Sequence, residues 1–230
     1  MYVGALLRED LGADLAGVCD LAPDLLERVP ELKERHIPVY RELADFYARE
    51  SADLAVLVSP VHFHRDMTLY CLAHGSHVLC EKPMSPNKQE ILAMGQAAEK
   101  AGRILSICHV LRYSPFFRQL KKLLDAGTIG QLVSIQAMEG VGYYHAAHSF
   151  VRGNWRNSQE TSPMILQKCC HDMDIYTWLL GKKCKAISSV GDTHLFKKEC
   201  APEGATPYCL GGCKAKENCK FDAEKIYITN

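Results

Sequence analysis

The sequence has no excess of either charge, no long apolar run and no secretion signal. Lysine plus arginine number 27, as do aspartate plus glutamate, in a chain of 230 residues. This balance does not favour a nucleic-acid partner, which would select clustered positive charge. No apolar run approaches the roughly 18 residues of a membrane span. The N-terminus lacks the basic and apolar regions of a signal peptide. We therefore expect a cytoplasmic protein that binds neither nucleic acid nor membrane.

A glycine-rich phosphate loop is also missing, since the sequence contains no G-x-G-x-x-G motif. The opening segment MYVGALLRED is helix-like, and the apolar run that follows, LAGVCD, ends in Asp20. In a dinucleotide-binding fold, the acidic residue that ends the second strand lies about 20 residues beyond the glycine motif. Counting back from Asp20 places that loop just before Met1. We expect the first strand and its glycine loop to be absent from this chain.

Cysteine is abundant, but the odd total of eleven and the lack of a secretion signal argue against a disulfide framework. Seven are expected to be small buried hydrophobic residues: Cys19, Cys71, Cys80, Cys108, Cys169, Cys170 and Cys184. The other four crowd into a loop-like tail: Cys200, Cys209, Cys213 and Cys219. Structural zinc sites usually pair cysteines two to four residues apart, as only Cys209 and Cys213 do. We interpret the four as reduced loop thiols, with a metal or iron–sulfur site as the alternative.

The first half of the chain has the pattern of a doubly wound parallel sheet. Four short apolar runs of strand length end at polar or turn residues: 15–20, 54–60, 77–83 and 104–110. Helical patterns separate the last three, and Ser85-Pro86 is typical of a helix start. Strands without a polar face, alternating with helices, indicate a Rossmann-type α/β domain. We assign residues 1–112 to this domain.

The second half, residues 113–230, has a different pattern. Ser114-Pro115 opens an amphipathic helix that ends at Gly127, and residues 164–181 form a long helix. Segments 131–144 and 183–196 have the pattern of long strands. We predict an α+β domain with a mixed or antiparallel open sheet.

A chemically unusual turn ends one of the predicted strands. In HVLCEKPMSPN (77–87), a buried strand ends in Glu81, Lys82 and Pro83. Ligands of open α/β sheets bind at the carboxyl ends of the strands. An ammonium held there stabilises a developing alkoxide better than a solvated one would, and Glu81 could orient it. The alternative is a solvated lysine at the start of a loop.

Five motifs in order make the chain resemble the glucose-fructose oxidoreductase/inositol dehydrogenase (Gfo/Idh/MocA) family. They are SPVHFH (59–64), EKP (81–83), HVLRYSP (109–115), NWR (154–156) and CCHDMD (169–174). The resemblance runs over nearly the whole chain. It implies a Rossmann domain that binds NAD or NADP and a second domain with a large open sheet. It also implies oxidation or reduction of sugars, cyclitols or related alcohols, and homodimers or homotetramers built through the C-terminal sheet.

The resemblance identifies His171 as the general base, a role that suits its ordinary pKa near 6.5. Family members commonly place an aspartate four residues before this histidine, where the chain has Gln167. Lys168 is next to it and shares a helix face with His171 and Asp172. We therefore list Lys168 with Lys82 and His171 as catalytic candidates, and expect Asp174 to be structural.

Cofactor and substrate contacts are inferred in the same way. At the end of its strand, Asp20 would accept hydrogen bonds from the ribose hydroxyls and repel a 2′-phosphate, which favours NAD over NADP. The remaining cofactor candidates are Ser59, Pro60, His64, Glu81, Lys82, His109, Arg112, Trp155 and Arg156. The substrate candidates are Tyr113, His145, His148 and Asp172. For His145 and His148 we prefer substrate contact or plain surface to zinc, because no acidic partner lies nearby in sequence.

The resulting hypothesis is an NAD-dependent oxidoreductase acting on a hydroxyl of a sugar, cyclitol or polyol. Two alternatives remain. One is a relative that uses bound NAD transiently to cleave glycosidic bonds. The other is a truncated, non-catalytic fragment or sheet-mediated interaction module, because the phosphates would lack their helix N-terminus.

Overall fold

The computed structural model describes residues 2–8 and 11–229, which form two compact units, residues 1–109 and 110–230. The predicted opening helix is α1 (Tyr2–Leu6), and residues 9 and 10 of that segment lie outside the described residues. Among the described residues, no helix is long and apolar enough to cross a membrane.

The first unit alternates short strands and helices. After α1, its elements are β1 (Val18–Cys19), α2 (Leu25–Arg28), α3 (Glu31–Glu34), β2 (Val39–Tyr40), α4 (Leu43–Tyr47), β3 (Leu54–Leu57), α5 (His64–Ala73), β4 (His77–Cys80), α6 (Lys88–Ala101) and β5 (Leu105–Ile107). A 3-10 turn, Val61–Phe63, precedes α5. The alternation confirms the α/β pattern expected from the sequence.

All strand pairs in this unit are parallel. β1 pairs with β2, and β3, β4 and β5 form a second sheet in that order. Leu57 is opposite Cys80, and Cys80 is opposite Ile107, so the three strands end at one edge. A doubly wound sheet has the order 3-2-1-4-5-6. The two sheets match 3-2 and 4-5-6, and no strand in the described residues joins them at the position of the first strand.

The core of the first unit lies between the three-stranded sheet and helices α5 and α6. Its buried members are Leu57, Cys71, Leu72, Val78, Cys80, Met94 and Ala98. Cys108 is buried as well, whereas Cys19, Cys169 and Cys170 are half-buried. The prediction that Cys184 is buried is wrong. It is exposed because its segment forms no strand.

Helix α6 begins two residues later than the sequence suggested. Its N-cap is Asn87, whose side chain accepts a hydrogen bond from the Gln89 amide at 2.8 Å. Ser85 is buried instead, where its hydroxyl donates to Glu90 and accepts from the Asn87 amide. Both Ser85 and Asn87 are good capping residues, so composition alone did not separate them.

The second unit is helical in the described residues. It contains a 3-10 turn (Val110–Tyr113), α7 (Pro115–Asp125), α8 (Tyr143–Ala146), a π-helical turn (Ala147–Val151), α9 (Met164–Leu180), 3-10 turns at Lys198–Cys200 and Lys216–Asn218, and α10 (Ala223–Tyr227). Ser114 is the N-cap of α7, as the Ser114-Pro115 pair predicted, and its hydroxyl accepts from the Phe117 amide at 3.3 Å. Helix α9 ends at Gly181, whose φ of 61° is left-handed.

The two strands predicted in this unit are not formed in its described residues. Segments 131–142 and 183–193 carry apolar side chains but have no strand partner. Val133 is 93% exposed and Val190 is 97% exposed. A strand depends on a neighbouring strand for its backbone hydrogen bonds and for covering its apolar face, and here neither is supplied.

Candidate active site

The ends of three parallel strands bring several predicted residues to one edge of the first unit. Ser59 follows β3, Lys82 follows β4 and His109 follows β5. Because the strands are parallel and in register, these residues share the carboxyl edge where such sheets bind ligands. Pro60 is exposed beside Ser59, and Lys82 is half-buried.

His64 is placed behind this edge rather than in front of it. Only 1% of its surface is exposed. Its Nδ1 lies 2.9 Å from the carbonyl oxygen of Pro83, and its Nε2 lies 2.8 Å from the carbonyl oxygen of Ser59. Both ring nitrogens therefore face the backbone, one at each of two strand ends. The predicted cofactor contact of His64 stays a prediction, and the geometry favours an indirect role.

Glu81 is held by a residue that the sequence analysis missed. The Tyr2 hydroxyl donates to Glu81 Oε1 and lies 3.8 Å from the Cys108 sulfur. Burial and the adjacent Glu81 carboxylate raise the pKa of Tyr2 above its ordinary value. The other carboxylate oxygen accepts from the Lys82 backbone amide at 3.0 Å. Glu81 therefore fixes the backbone of the turn, and nothing in the sequence around Tyr2 signalled the pairing.

Two further features of this unit fit a nicotinamide dinucleotide. The buried Ser59 hydroxyl has no hydrogen-bond partner among the described residues, so its hydrogen-bonding capacity is unused there. Asp20 follows β1 and is exposed, and its Oδ1 accepts from the Ala22 amide at 2.8 Å. That bond fixes the carboxylate at the end of its strand, where ribose hydroxyls bind in dinucleotide folds.

In the second unit, helix α9 presents the other catalytic candidates. His171 and Asp172 are half-buried, three and four residues after Lys168 on one helix face. Lys168 Nζ lies 3.1 Å from His145 Nε2 and 6.0 Å from the centre of the Phe150 ring. The predicted substrate residue His145 is thus adjacent to the predicted catalytic Lys168.

Gln167, where the family resemblance predicts an aspartate, is directed away from that face. It is 7% exposed, and its amide donates to the Ser162 hydroxyl at 2.6 Å. The amide therefore serves to anchor the start of α9 against the Ser162 turn.

Arg112 makes a two-point ion pair with Asp174. Its Nε and Nη2 donate to the two carboxylate oxygens at 2.7 and 2.6 Å. The Asp174 carboxylate raises the pKa of the guanidinium above its ordinary value. Arg112 also lies over the Trp178 ring, 5.9 Å from its centre. The pair fastens the 3-10 turn to α9, which agrees with the structural role expected of Asp174. Tyr113, in the same turn, is 75% exposed.

The other candidates of this unit are dispersed. His148 Nδ1 lies 2.7 Å from the Tyr227 hydroxyl, and its ring stacks on Tyr144. Trp155 is 41% exposed, and Arg156 donates to the Gly153 carbonyl at 3.2 Å. The described part of the chain contains no group of three or more side chains arranged to hold a metal, and this includes the four tail cysteines.

Comparison with known proteins places these features in one family. The family model described as an oxidoreductase family with an NAD-binding Rossmann fold matches residues 1–109. The model of the GFO/IDH/MocA C-terminal domain matches residues 117–207.

Individual relatives agree with this assignment. The 2,7-anhydro-N-acetylneuraminate hydratase of Mediterraneibacter gnavus is 25% identical over 82% of this chain and 48% of its own. Inositol 2-dehydrogenase 4 of Saccharopolyspora erythraea is 30% identical over 59% of this chain and 37% of its own.

A solved structure shares the fold. Scyllo-inositol dehydrogenase from Lactobacillus casei, with bound NAD(H) and scyllo-inositol, aligns with a TM-score of 0.66 at 23% identity, over 79% of this chain and 53% of that one. The chain spans about half the length of the curated relatives it matches. The two matched domains, the parallel sheet and the strand-end residues lead to one conclusion: the chain belongs to the GFO/IDH/MocA family of oxidoreductases.

Proposed function

We propose that the protein transfers a hydride between a nicotinamide cofactor and a hydroxyl of a sugar, cyclitol or polyol. The observation that carries this proposal is the position of Lys82 after a buried parallel strand, between Ser59 and His109 on neighbouring strand ends. The relatives named as inositol dehydrogenases support the class of substrate.

Lys82 acts on the reacting oxygen. Its ammonium donates a hydrogen bond to that oxygen and stabilises the negative charge that develops there. Glu81 contributes through the backbone, because it accepts from the Lys82 amide while the Tyr2 hydroxyl fixes its other oxygen. A lysine on a backbone fixed in this way needs little rearrangement during the reaction.

His171 removes the hydroxyl proton, and Lys168 binds a neighbouring oxygen of the substrate. Helix α9 presents both side chains on one face. Lys168 is placed by His145, whose Nε2 lies 3.1 Å from its ammonium. His145 contributes to substrate binding through this contact, and the exposed Tyr113 and half-buried Asp172 complete the proposed substrate residues.

Asp20 and Ser59 hold the cofactor, which when bound accepts or supplies the hydride. Asp20 accepts hydrogen bonds from the ribose hydroxyls, and its charge disfavours a 2′-phosphate, so NAD is preferred to NADP. Ser59 supplies a buried hydroxyl at the end of the next sheet.

Cofactor binding is tested by calorimetric titration of the purified 230-residue chain with NAD and then NADP. We expect micromolar binding of NAD and weaker binding of NADP. Asp20→Asn should narrow the difference between the affinities for NAD and NADP. Asp14→Asn, the same change at another exposed aspartate, should leave that difference unchanged. Equal affinities in the unmodified chain would contradict the assignment of Asp20.

Catalysis is tested by screening polyols for NADH formation and then substituting the strand-end lysine. Lys82→Met should lower kcat by roughly 100-fold or more, the usual effect of removing one donor to a developing oxyanion. Lys88→Met, at an exposed position on α6, is the control and should leave kcat unchanged. A Lys82→Met variant with normal kcat and normal cofactor binding would overturn the proposed role.

A second candidate function keeps the cofactor bound and restores it in each turnover, as in a glycosidase-type relative or a lyase. It is favoured by the relative named as a hydratase and by Gln167, which departs from the usual aspartate. Net formation of NADH separates the dehydrogenase from this alternative. A dehydrogenase accumulates NADH with substrate, whereas the alternative converts substrate with no net change in absorbance at 340 nm.

A non-catalytic chain is the remaining alternative. It is suggested by the two parallel sheets, which no strand in the described residues connects. A chain that is folded by circular dichroism but binds neither NAD nor NADP would support it. Homodimer or homotetramer formation stays a proposal, although the described residues of the second unit form no sheet to build the interface. Light scattering of the eluting protein measures the oligomeric state directly.

A further inference from the structure

The most enclosed histidine in the first unit joins the turns after β3 and β4, beyond the last backbone hydrogen bond between the two strands. In the described residues, the last backbone hydrogen bond between the ends of β3 and β4 runs from the Glu81 amide to the Leu57 carbonyl, at 2.9 Å. Beyond it, the His64 ring bridges the two turns through the carbonyls of Ser59 and Pro83, at 2.8 and 2.9 Å.

We propose that His64 is a positioning residue that sets the relative placement of Ser59 and Lys82. This inference rests on the proposed function, because it concerns the same site. One bond reaches the carbonyl of Ser59 itself, whose hydroxyl has no partner among the described residues. The other reaches the carbonyl of Pro83, which directly follows Lys82.

The burial of the ring makes this arrangement effective. His64 is 1% exposed and begins helix α5, which packs against the three-stranded sheet. Water therefore does not compete for the two contacts, and the anchored helix fixes the position of the ring. Displacing a catalytic group by about 1 Å costs up to about 100-fold in rate, so a shift of either turn would be visible in turnover.

The two contacts are chemically separable. Both partners are carbonyl oxygens, which only accept, so the neutral ring donates to one of them through the nitrogen that carries its proton, and the protonated ring donates to both. The amide nitrogen of asparagine can replace Nδ1, and that of glutamine can replace Nε2. His64→Asn therefore preserves the contact with Pro83, His64→Gln preserves the contact with Ser59, and His64→Phe removes both.

Amide hydrogen exchange on the full 230-residue chain tests the bridge without any activity assay. We expect exchange to accelerate about tenfold where a contact is lost. His64→Phe should accelerate exchange in both segments, 57–64 and 80–87. His64→Asn should accelerate exchange only in segment 57–64, and His64→Gln only in segment 80–87. His62→Asn and His62→Gln, at an exposed histidine of the same turn, are the matched controls. Unchanged exchange in all three His64 variants would overturn the bridge.

Kinetics and titration test the positioning role itself. His64→Phe and His64→Gln should lower kcat by 10- to 100-fold, and His64→Asn should retain most of it. His64→Phe and His64→Asn should weaken NAD binding, which His64→Gln should retain. Altered exchange with normal kcat and NAD affinity would reduce His64 to a structural residue and overturn the proposal.

Failure of the proposed function would have a different signature. An unmodified chain that neither binds NAD nor turns over a polyol would overturn the placement of a catalytic site at this edge. The exchange pattern of the variants would still confirm or overturn the bridge between the two strand ends.

Discussion

The Arg112–Asp174 ion pair is expected to stabilise the second unit by more than a surface pair would. Exposed ion pairs contribute about 0.2–1 kcal/mol, whereas breaking a buried pair costs about 3–5 kcal/mol. The Asp174 side chain is 12% exposed and that of Arg112 is 39% exposed. The two-point geometry strengthens the pair, and water at the arginine weakens it. We expect Asp174→Asn to lower the free energy of unfolding by about 1–3 kcal/mol.

The chain provides a selective probe for this measurement. Its two tryptophans, Trp155 and Trp178, both lie in the second unit. Tryptophan fluorescence during urea unfolding therefore follows that unit alone. Asp125→Asn is the control, because it makes the same change in an exposed pair on α7, where the Asp125 side chain is 60% exposed. Asp125→Asn is expected to lower the free energy of unfolding by about 0.3–0.5 kcal/mol.

A double-mutant cycle with Arg112→Met isolates the pair from other effects of each substitution. We expect a coupling energy of about 1–2 kcal/mol between Arg112 and Asp174. A coupling below about 0.3 kcal/mol, or a cost of Asp174→Asn no larger than that of Asp125→Asn, would refute the reasoning. The 3-10 turn would then be held to α9 by packing alone.

Three further predictions concern stability and thiol chemistry. Met94→Ala should cost about 2–5 kcal/mol in unfolding monitored by circular dichroism, because Met94 is fully buried. Leu92→Ala on the same helix, at a side chain that is 51% exposed, should cost less than about 1 kcal/mol. Asn87→Ala should cost about 1 kcal/mol through loss of the α6 cap. Backbone hydrogen bonds lower the pKa of the Cys213 thiol, whereas burial raises that of Cys80 to about 12. At pH 7.5 Cys213 therefore holds more of the reactive thiolate. Iodoacetamide should label it well before Cys80 in peptide mass maps of the native chain, and equal rates would contradict this.

Much of the first unit was predictable because its signals are local. Apolar runs of strand length marked β3, β4 and β5, and the residues at their ends followed from chain direction once the strands were taken as parallel. Helix α9 was predictable for the same reason, since its period and its terminal Gly181 lie within one segment. The position of Lys82 at a strand end followed from these elements, whereas His171 was identified through the resemblance to the family.

Features that depend on distant partners were not predictable. Tyr2 and Glu81 are 79 residues apart, and neither residue type signals the other. The bridge from His64 to Ser59 and Pro83 runs through backbone carbonyls, which every residue possesses. Segments 131–144 and 183–196 have the composition of strands, but composition does not supply a partner strand.

The order of the strands gives the NAD titration its discriminating power. In a doubly wound sheet the first strand lies between the second and the fourth, which places its position between β1 and β3. Asp20 follows β1 and Ser59 follows β3, so the two proposed cofactor contacts lie on opposite sides of that position. A dinucleotide that contacts both must span two sheets that no backbone ladder in the described residues connects. NAD binding that depends on Asp20 and Ser59 together would therefore show that the two sheets keep their relative placement without a connecting strand in the described residues. Binding that is insensitive to Asp20→Asn but lost in Ser59→Ala would show that only the three-stranded sheet holds the cofactor.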